Sequence, residues 1–166
     1  MTISGEPVFH GTGAWTVQPA ALFQRLRRTS PKAPLPAPIH AALRQRPDNV
    51  VITTPLHGDE RTSFTSSLIV DGAHPYFFDH PCDHIPGMLL LEGCAQLALR
   101  AFAETLSVFP RRTAVRAYEV NFSQFVECGL PVTLAARVNA DDDVEIIISQ
   151  PDAVCGTTTM RVAFPV

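Results

Sequence analysis

Between residues 79 and 96 the chain gathers many groups that can move protons: Asp79, His80, Cys82, Asp83, His84 and Glu92, with Gln96 one helical turn beyond Glu92. An imidazole titrates near neutral pH and a shielded carboxylate can be tuned toward it. A loop histidine and a helix glutamate therefore make a general acid and base able to face each other across one substrate. Pro86 suits the first position of a helix, and Gly87 lets a ligand approach the backbone amides of Gly87 and Met88. Those amides, with the positive end of the helix dipole, suit the oxygen of a polarised thioester carbonyl. The candidate catalytic residues are Glu92, His80, His84 and Asp79; the candidate substrate-binding residues are Gly87, Met88, Gln96 and Asp83.

Each has a plainer reading. His80 can cap the turn ahead of Pro81, His84 can donate to a backbone carbonyl, and Glu92 can open a solvated stripe that continues through Gln96, Arg100 and Glu104 every four residues. The apolar run Met88-Leu89-Leu90-Leu91 before Glu92 argues for burial of that end of the stripe, where a carboxylate needs a partner. Cys94 fills core space, and Cys82 has no base that the sequence alone can name. His74, Asp79, His80, Cys82, Asp83 and His84 form a dense ligand set, but loop spacing lacks the fixed geometry of a helical metal motif, so no metal or other cofactor is expected.

The elements that must position these groups are legible in the pattern. Gly87 to about Ser107 reads as one long helix rich in Leu, Ala, Met and Gln, apolar over most of its circumference and so wrapped on most sides. Ahead of it, Val50 to Thr54 and Thr62 to Val70 are β-branched runs joined across a turn at Gly58-Asp59-Glu60, which predicts a hairpin. After it come four strand candidates, 113–126, 131–139, 144–150 and 154–164, separated by Gly, Pro and Asp turn chemistry. A strand pair, a long helix and a four-strand meander give an α+β order in which the helix lies on one face of an antiparallel sheet.

Residues 1–48 read as a separate extension. A helix at 19–28, a proline-rich connector at 31–38 and a short helix at 39–46 are too polar and too short to form a core of their own. This extension carries Arg25, Arg27, Arg28, Lys32, Arg44 and Arg46 against Glu6 and Asp48, within a chain of net charge -3. This asymmetry reads first as a solvated helix face, with docking of an acidic carrier protein by Arg25, Arg27 and Arg28 with Arg111, Arg112 and Arg116 as the alternative; no interleaved aromatics or motif point to nucleic acid. The four cysteines form no C-x-x-C pair, which fits reduced thiols. No membrane span and no leader are visible, so a cytoplasmic protein is expected.

The run Asp79-His80-Pro81, then Asp83-His84-Ile85-Pro86-Gly87-Met88-Leu89-Leu90-Leu91-Glu92, resembles the signature of the A-factor biosynthesis family of hot-dog proteins, which make γ-butyrolactone signals. Ala117 to Phe122 and Phe125-Val126-Glu127 resemble that family's next strand. The resemblance covers residues 49–166 and implies a single hot-dog fold, a long central helix wrapped by an antiparallel sheet. It also implies transfer of a β-ketoacyl group from a thioester on acyl carrier protein or CoA to a dihydroxyacetone-type acceptor.

Better-known members hold two such repeats, so a chain with room for one is expected to form a homodimer or higher oligomer. Members usually carry arginine three residues after the motif glutamate, where this chain has Ala95, which weakens the case for a phosphate-bearing acceptor. Glu92, Ala95 and Gln96 are in turn similar to the E-x-x-A-Q of hydroxyacyl-carrier dehydratases, which share the fold. Acyl transfer, dehydration of a 3-hydroxyacyl thioester, thioester hydrolysis and non-catalytic acyl or lactone binding all stay open at this point.

Overall fold

The computed structural model describes residues 2–3, 6–7, 11–14 and 47–164. The expected helices at 19–28 and 39–46, the proline-rich connector and the extension's arginines lie outside the described residues. Within the segment assigned to the extension, two short strands, β1 (Thr2–Ile3) and β2 (Glu6–Pro7), pair antiparallel.

Among the described residues from 47 onward, the chain forms one sheet and one α-helix. Strands β3 (Leu56–His57), β4 (Ser63–Ser67), β5 (Ala114–Phe122), β6 (Thr133–Val138), β7 (Asp143–Gln150) and β8 (Ala153–Ala163) form a six-stranded antiparallel sheet in the order β3-β4-β6-β7-β8-β5. Helix α1 (Gly87–Thr105) lies across it, chiefly against β6. This is the α+β hot-dog arrangement that the sequence pattern and the motif imply.

Alternation drives the sheet onto the helix. On β7, Val144, Ile146 and Ile148 are buried while Glu145 and Ile147 face out, the two-residue period of a strand with one covered face. From the other side α1 contributes Leu89, Leu90, Cys94, Leu97, Ala98, Ala101 and Phe102 to the same core. Gly93 lets the helix come close: a Cβ there would strike the Leu68 side chain and stand 3.2 Å from Leu134 Cδ1. Burial pushes the Cys94 thiol up to about 12, so it stays neutral and serves as packing.

Two strand readings shift. Within the run Val50 to Thr54 only Val50, Val51 and Ile52 are buried, and its ladder pairing is the isolated bridge Ile52 to Leu68, the regular pairing of that hairpin falling instead at β3 and β4. Its ladder is interrupted because the Val51 amide donates to the Gln96 side chain rather than to a neighbouring strand. The strand expected at 113–126 ends at Phe122, where the Ser123 and Gln124 amides both turn to the Cys155 carbonyl. Within β5 the register against β8 slips between Val115 and Ala117, leaving Arg116 as an extra residue.

Candidate active-site groove

Met88, Leu91, Glu92 and Ala95 follow one another at i, i+3, i+4 and i+7, which places them on a single stripe of α1. That stripe forms one wall of a cavity of about 1040 Å³. The opposite wall is β5 from Val115 to Val120, and Tyr76 and Phe77 stand in the lining as well. Six consecutive strand residues contribute, although neighbouring side chains on a strand point to opposite faces. The cavity is therefore a groove along the edge of β5 rather than a hole beneath the sheet. Among the described residues that edge has no strand beside it, since β5 pairs with β8 alone.

Glu92 is half-buried on the groove wall, and its orientation comes from Gln96. Gln96 is wholly buried, and all its polar ends are engaged by the protein: Nε2 donates to Glu92 Oε1 at 2.6 Å and to the Asn49 carbonyl at 2.7 Å, while Oε1 accepts the Val51 amide at 3.0 Å. The amide can sit only one way round, because exchanging N and O would set oxygen against two acceptors. Gln96, read from the sequence as substrate-binding, thus stands behind Glu92 as its support. It is also the deepest member of the polar line that was expected to be deepest at Glu92. Further along, Arg100 pairs with Glu104, which also meets His57 Nε2 at 3.0 Å.

The loop groups fall into two separate arrangements, neither of them part of the groove lining. His80 Nδ1 lies 2.6 Å from Asp79 Oδ1, with both side chains about two-thirds exposed (71% and 67%). His84 Nδ1 lies 2.7 Å from Asp83 Oδ1, its ring packs edge-on against Phe125, and its backbone bridges to Glu127. The Ile85 amide, bonded to the Val126 carbonyl at 2.8 Å, ties this end of the loop to the segment after β5.

At the start of α1, the Leu89 and Leu90 amides both donate to the Pro86 carbonyl, which leaves those of Gly87 and Met88 as the first-turn amides without a partner inside the helix. Above Gly87 sits the Phe122 ring, at 3.5 Å from where a Cβ would be.

A histidine that the motif did not single out for catalysis does share a cavity with Glu92. His74, Asn49, Tyr76, Phe77 and Glu92 line a second space of about 370 Å³. His74 Nδ1 accepts the Tyr76 amide at 3.3 Å, and its ring packs 4.7 Å from Phe77. A neutral ring that accepts at Nδ1 carries its proton on Nε2. Arg116 is the second residue the motif missed. It is the extra residue of β5 and stands in the groove lining, and its guanidinium donates to the Phe164 carbonyl at 2.9 Å. Neither had a signal in the sequence beyond its residue type.

The model of the A-factor biosynthesis hotdog domain matches residues 28–164. The chain belongs to the A-factor biosynthesis hotdog family. The match begins inside the segment assigned from sequence to the extension. Among curated proteins, this member of the family is 33% identical over 159 residues to a 2-oxo-3-(phosphooxy)propyl 3-oxoalkanoate synthase of Streptomyces virginiae, covering 89% of this chain and 50% of that protein. A protein of the same name from Streptomyces coelicolor is 30% identical over 165 residues, covering 96% of this chain and 46% of its own length. The chain thus spans about half the length of these relatives.

Solved structures share the fold at low identity. A dehydratase heterocomplex from Xenorhabdus doucetiae has a TM-score of 0.56 at 15% identity, covering 78% of this chain and 92% of that one. The zebra fish thioesterase superfamily member 2 has a TM-score of 0.53 at 7% identity, covering 69% of this chain and 80% of that one.

Proposed function

We propose that this domain transfers a 3-oxoacyl group from a thioester, carried on CoA or acyl carrier protein, to the hydroxyl of a phosphorylated three-carbon ketone. The observation that carries this reading is the Glu92 carboxylate held by Gln96 on the wall of a large groove, within a chain whose curated relatives are named for that class of ester product. Glu92 removes the acceptor's hydroxyl proton as the oxygen attacks the thioester carbon. The Gly87 and Met88 amides meet the oxyanion, and His74 Nε2–H gives its proton to the departing thiolate, to be restored from Glu92. Leu91, Val115 and Met160 supply apolar lining for the acyl chain. Arg116 offers the acceptor phosphate the cation that Ala95 does not.

The experiment presents a 3-oxoacyl thioester with dihydroxyacetone phosphate to the full chain and analyses the products by mass spectrometry. Formation of the ester, lost in Glu92→Gln, supports the reading. Free acid alone marks a thioesterase. Tight acyl or lactone binding with no turnover of any thioester marks a binding protein.

A second reading is favoured by the Glu92, Ala95 and Gln96 pattern with His74 close by: dehydration of a 3-hydroxyacyl thioester. Its signature is an enoyl product from that substrate without any acceptor.

The open β5 edge, with Tyr118 and Phe122 exposed on the same strand and Met88 exposed across from them, fits a second copy of this chain in a homodimer. Sedimentation of the wild type as a dimer, with Tyr118→Glu as a monomer, is the expected result. A monomeric wild type at micromolar concentration removes this part.

A further inference from the structure

Cys82 lies on the loop between groove residues Phe77 and Met88, and the fold gives it the base that sequence could not name. His80 Nε2 is 3.6 Å from Cys82 Sγ, a thiol–imidazole hydrogen-bond distance. On the far side of the same ring, Nδ1 meets Asp79 Oδ1 at 2.6 Å. A carboxylate at Nδ1 holds the proton there, so Nε2 presents its lone pair to the sulfur; nucleophile, base and orienting carboxylate stand in line. Pro81 fixes one backbone torsion between histidine and cysteine and so restricts the spacing of the pair. The single thiol proton is shared between two acceptors, the imidazole Nε2 and the His80 carbonyl at 3.4 Å, and a rotation about Cβ–Sγ moves it from one to the other.

Of the three remaining thiols, Cys128 is exposed and two are enclosed. Cys94 and Cys155 are buried, and burial keeps Cys94 protonated. Cys82 is only half-buried, and the imidazole beside it is largely solvent-exposed. A thiol with a base at hand and an open approach reacts with acyl electrophiles.

We propose that Cys82 is an acyl-accepting nucleophile, with His80 as its base and Asp79 as the residue that positions His80; the choice of a thioester as the electrophile rests on the function proposed above. In the step, His80 Nε2 takes the thiol proton as Cys82 Sγ forms a bond to the thioester carbonyl carbon. The tetrahedral adduct then expels the carrier thiolate, which takes the proton back from Nε2. One thioester is broken and one made, so no oxidant, reductant or further reactant is needed. The product is an acyl-Cys82 thioester and a free carrier thiol.

The test incubates the full chain with a 3-oxoacyl-CoA and follows intact mass and the Cys82 peptide over time, with ester formation on dihydroxyacetone phosphate measured in parallel. The expected result is one acyl increment on Cys82, removed by neutral hydroxylamine and absent in Cys82→Ser. His80→Gln should slow its appearance by at least about 10²-fold, the low end of what a positioned base contributes. Asp79→Asn should slow it and shift its pH profile, and Asp79→Glu should restore both, which a merely structural carboxylate would not do.

No increment on Cys82, labelling of exposed Cys128 at an equal rate, or a wild-type rate in His80→Gln overturns the proposal. Ester product without the label sinks the Cys82 assignment and leaves the transferase reading in place. Label without ester does the reverse.

Discussion

Leu89, Gly93 and Leu97 run down one side of α1, and Met88, Leu91, Glu92 and Ala95 run down another, offset by a fraction of a turn. The first stripe is sealed: Leu89 and Leu97 are at most 1% exposed, and Gly93 abuts Leu68 and Leu134 closely enough that a methyl group does not fit without adjustment. The second stripe faces a groove of about 1040 Å³, with Met88 57% exposed at its rim. One helix thus serves as keystone on one face and as wall on the other. Packing dictates what is allowed on the first; the second is free to carry a half-buried carboxylate because Gln96 supports it.

The contrast is broken most sharply by Glu92→Gln. The amide keeps an oxygen for Gln96 to donate to, so thermal stability should hold, while turnover of the thioester substrate drops by about 10²–10⁴-fold in kcat/KM. A comparable activity loss accompanied by a lowered Tm would mean that Glu92 belongs to the keystone face.

Leu97→Ala is the mirror experiment, expected to cost about 2–5 kcal/mol in urea unfolding with little change in kcat for the molecules still folded. Gly93→Ala should cost less, about 1 kcal/mol net, because overpacking against Leu68 and Leu134 is partly offset by better helix propensity. Stabilisation by this change would show slack that the sealed face is said to lack.

The last effect is the titration of the Cys94 thiol, which leaves stability independent of pH near neutrality, where the side chain contributes by packing alone. Its folded value of about 12 lies above the ordinary 9.0, so the folded state holds the proton more tightly. The stability contribution is complete below pH 9 and is lost as pH climbs from 9 toward 12. Urea midpoints of wild type and Cys94→Ala should therefore converge over that range.

The sealed face was largely legible from residue order. Periodicity placed the helix from 87 to about 107, two residues past its observed end at Thr105, and alternation gave β6, β7 and β8, because these patterns repeat over many positions and need no distant partner. Gly93 carried no such signal, since its reason is the approach of Leu68 and Leu134 from elsewhere in the chain. The groove was legible only in part. Glu92 stands out in its motif, but the support from Gln96 runs through Asn49 and Val51, 47 and 45 positions away.

His74 shares a cavity with Glu92 through the course of a loop, and Arg116 lines the groove because the edge of β5 forms one of its walls. Neither path leaves a periodic trace. The same locality explains why Cys82 looked baseless: proximity of its sulfur to the His80 ring depends on the loop's torsions, which residue types two apart do not fix.

The Gln96 amide fastens the stretch from Asn49 to Val51, and it also supports the Glu92 carboxylate. Structural integrity at this joint and chemical competence are therefore one property. Heat or denaturant that loosens the 49–51 segment releases Glu92 in the same event, so inactivation should track the first opening of that seam rather than the later melting of the sheet.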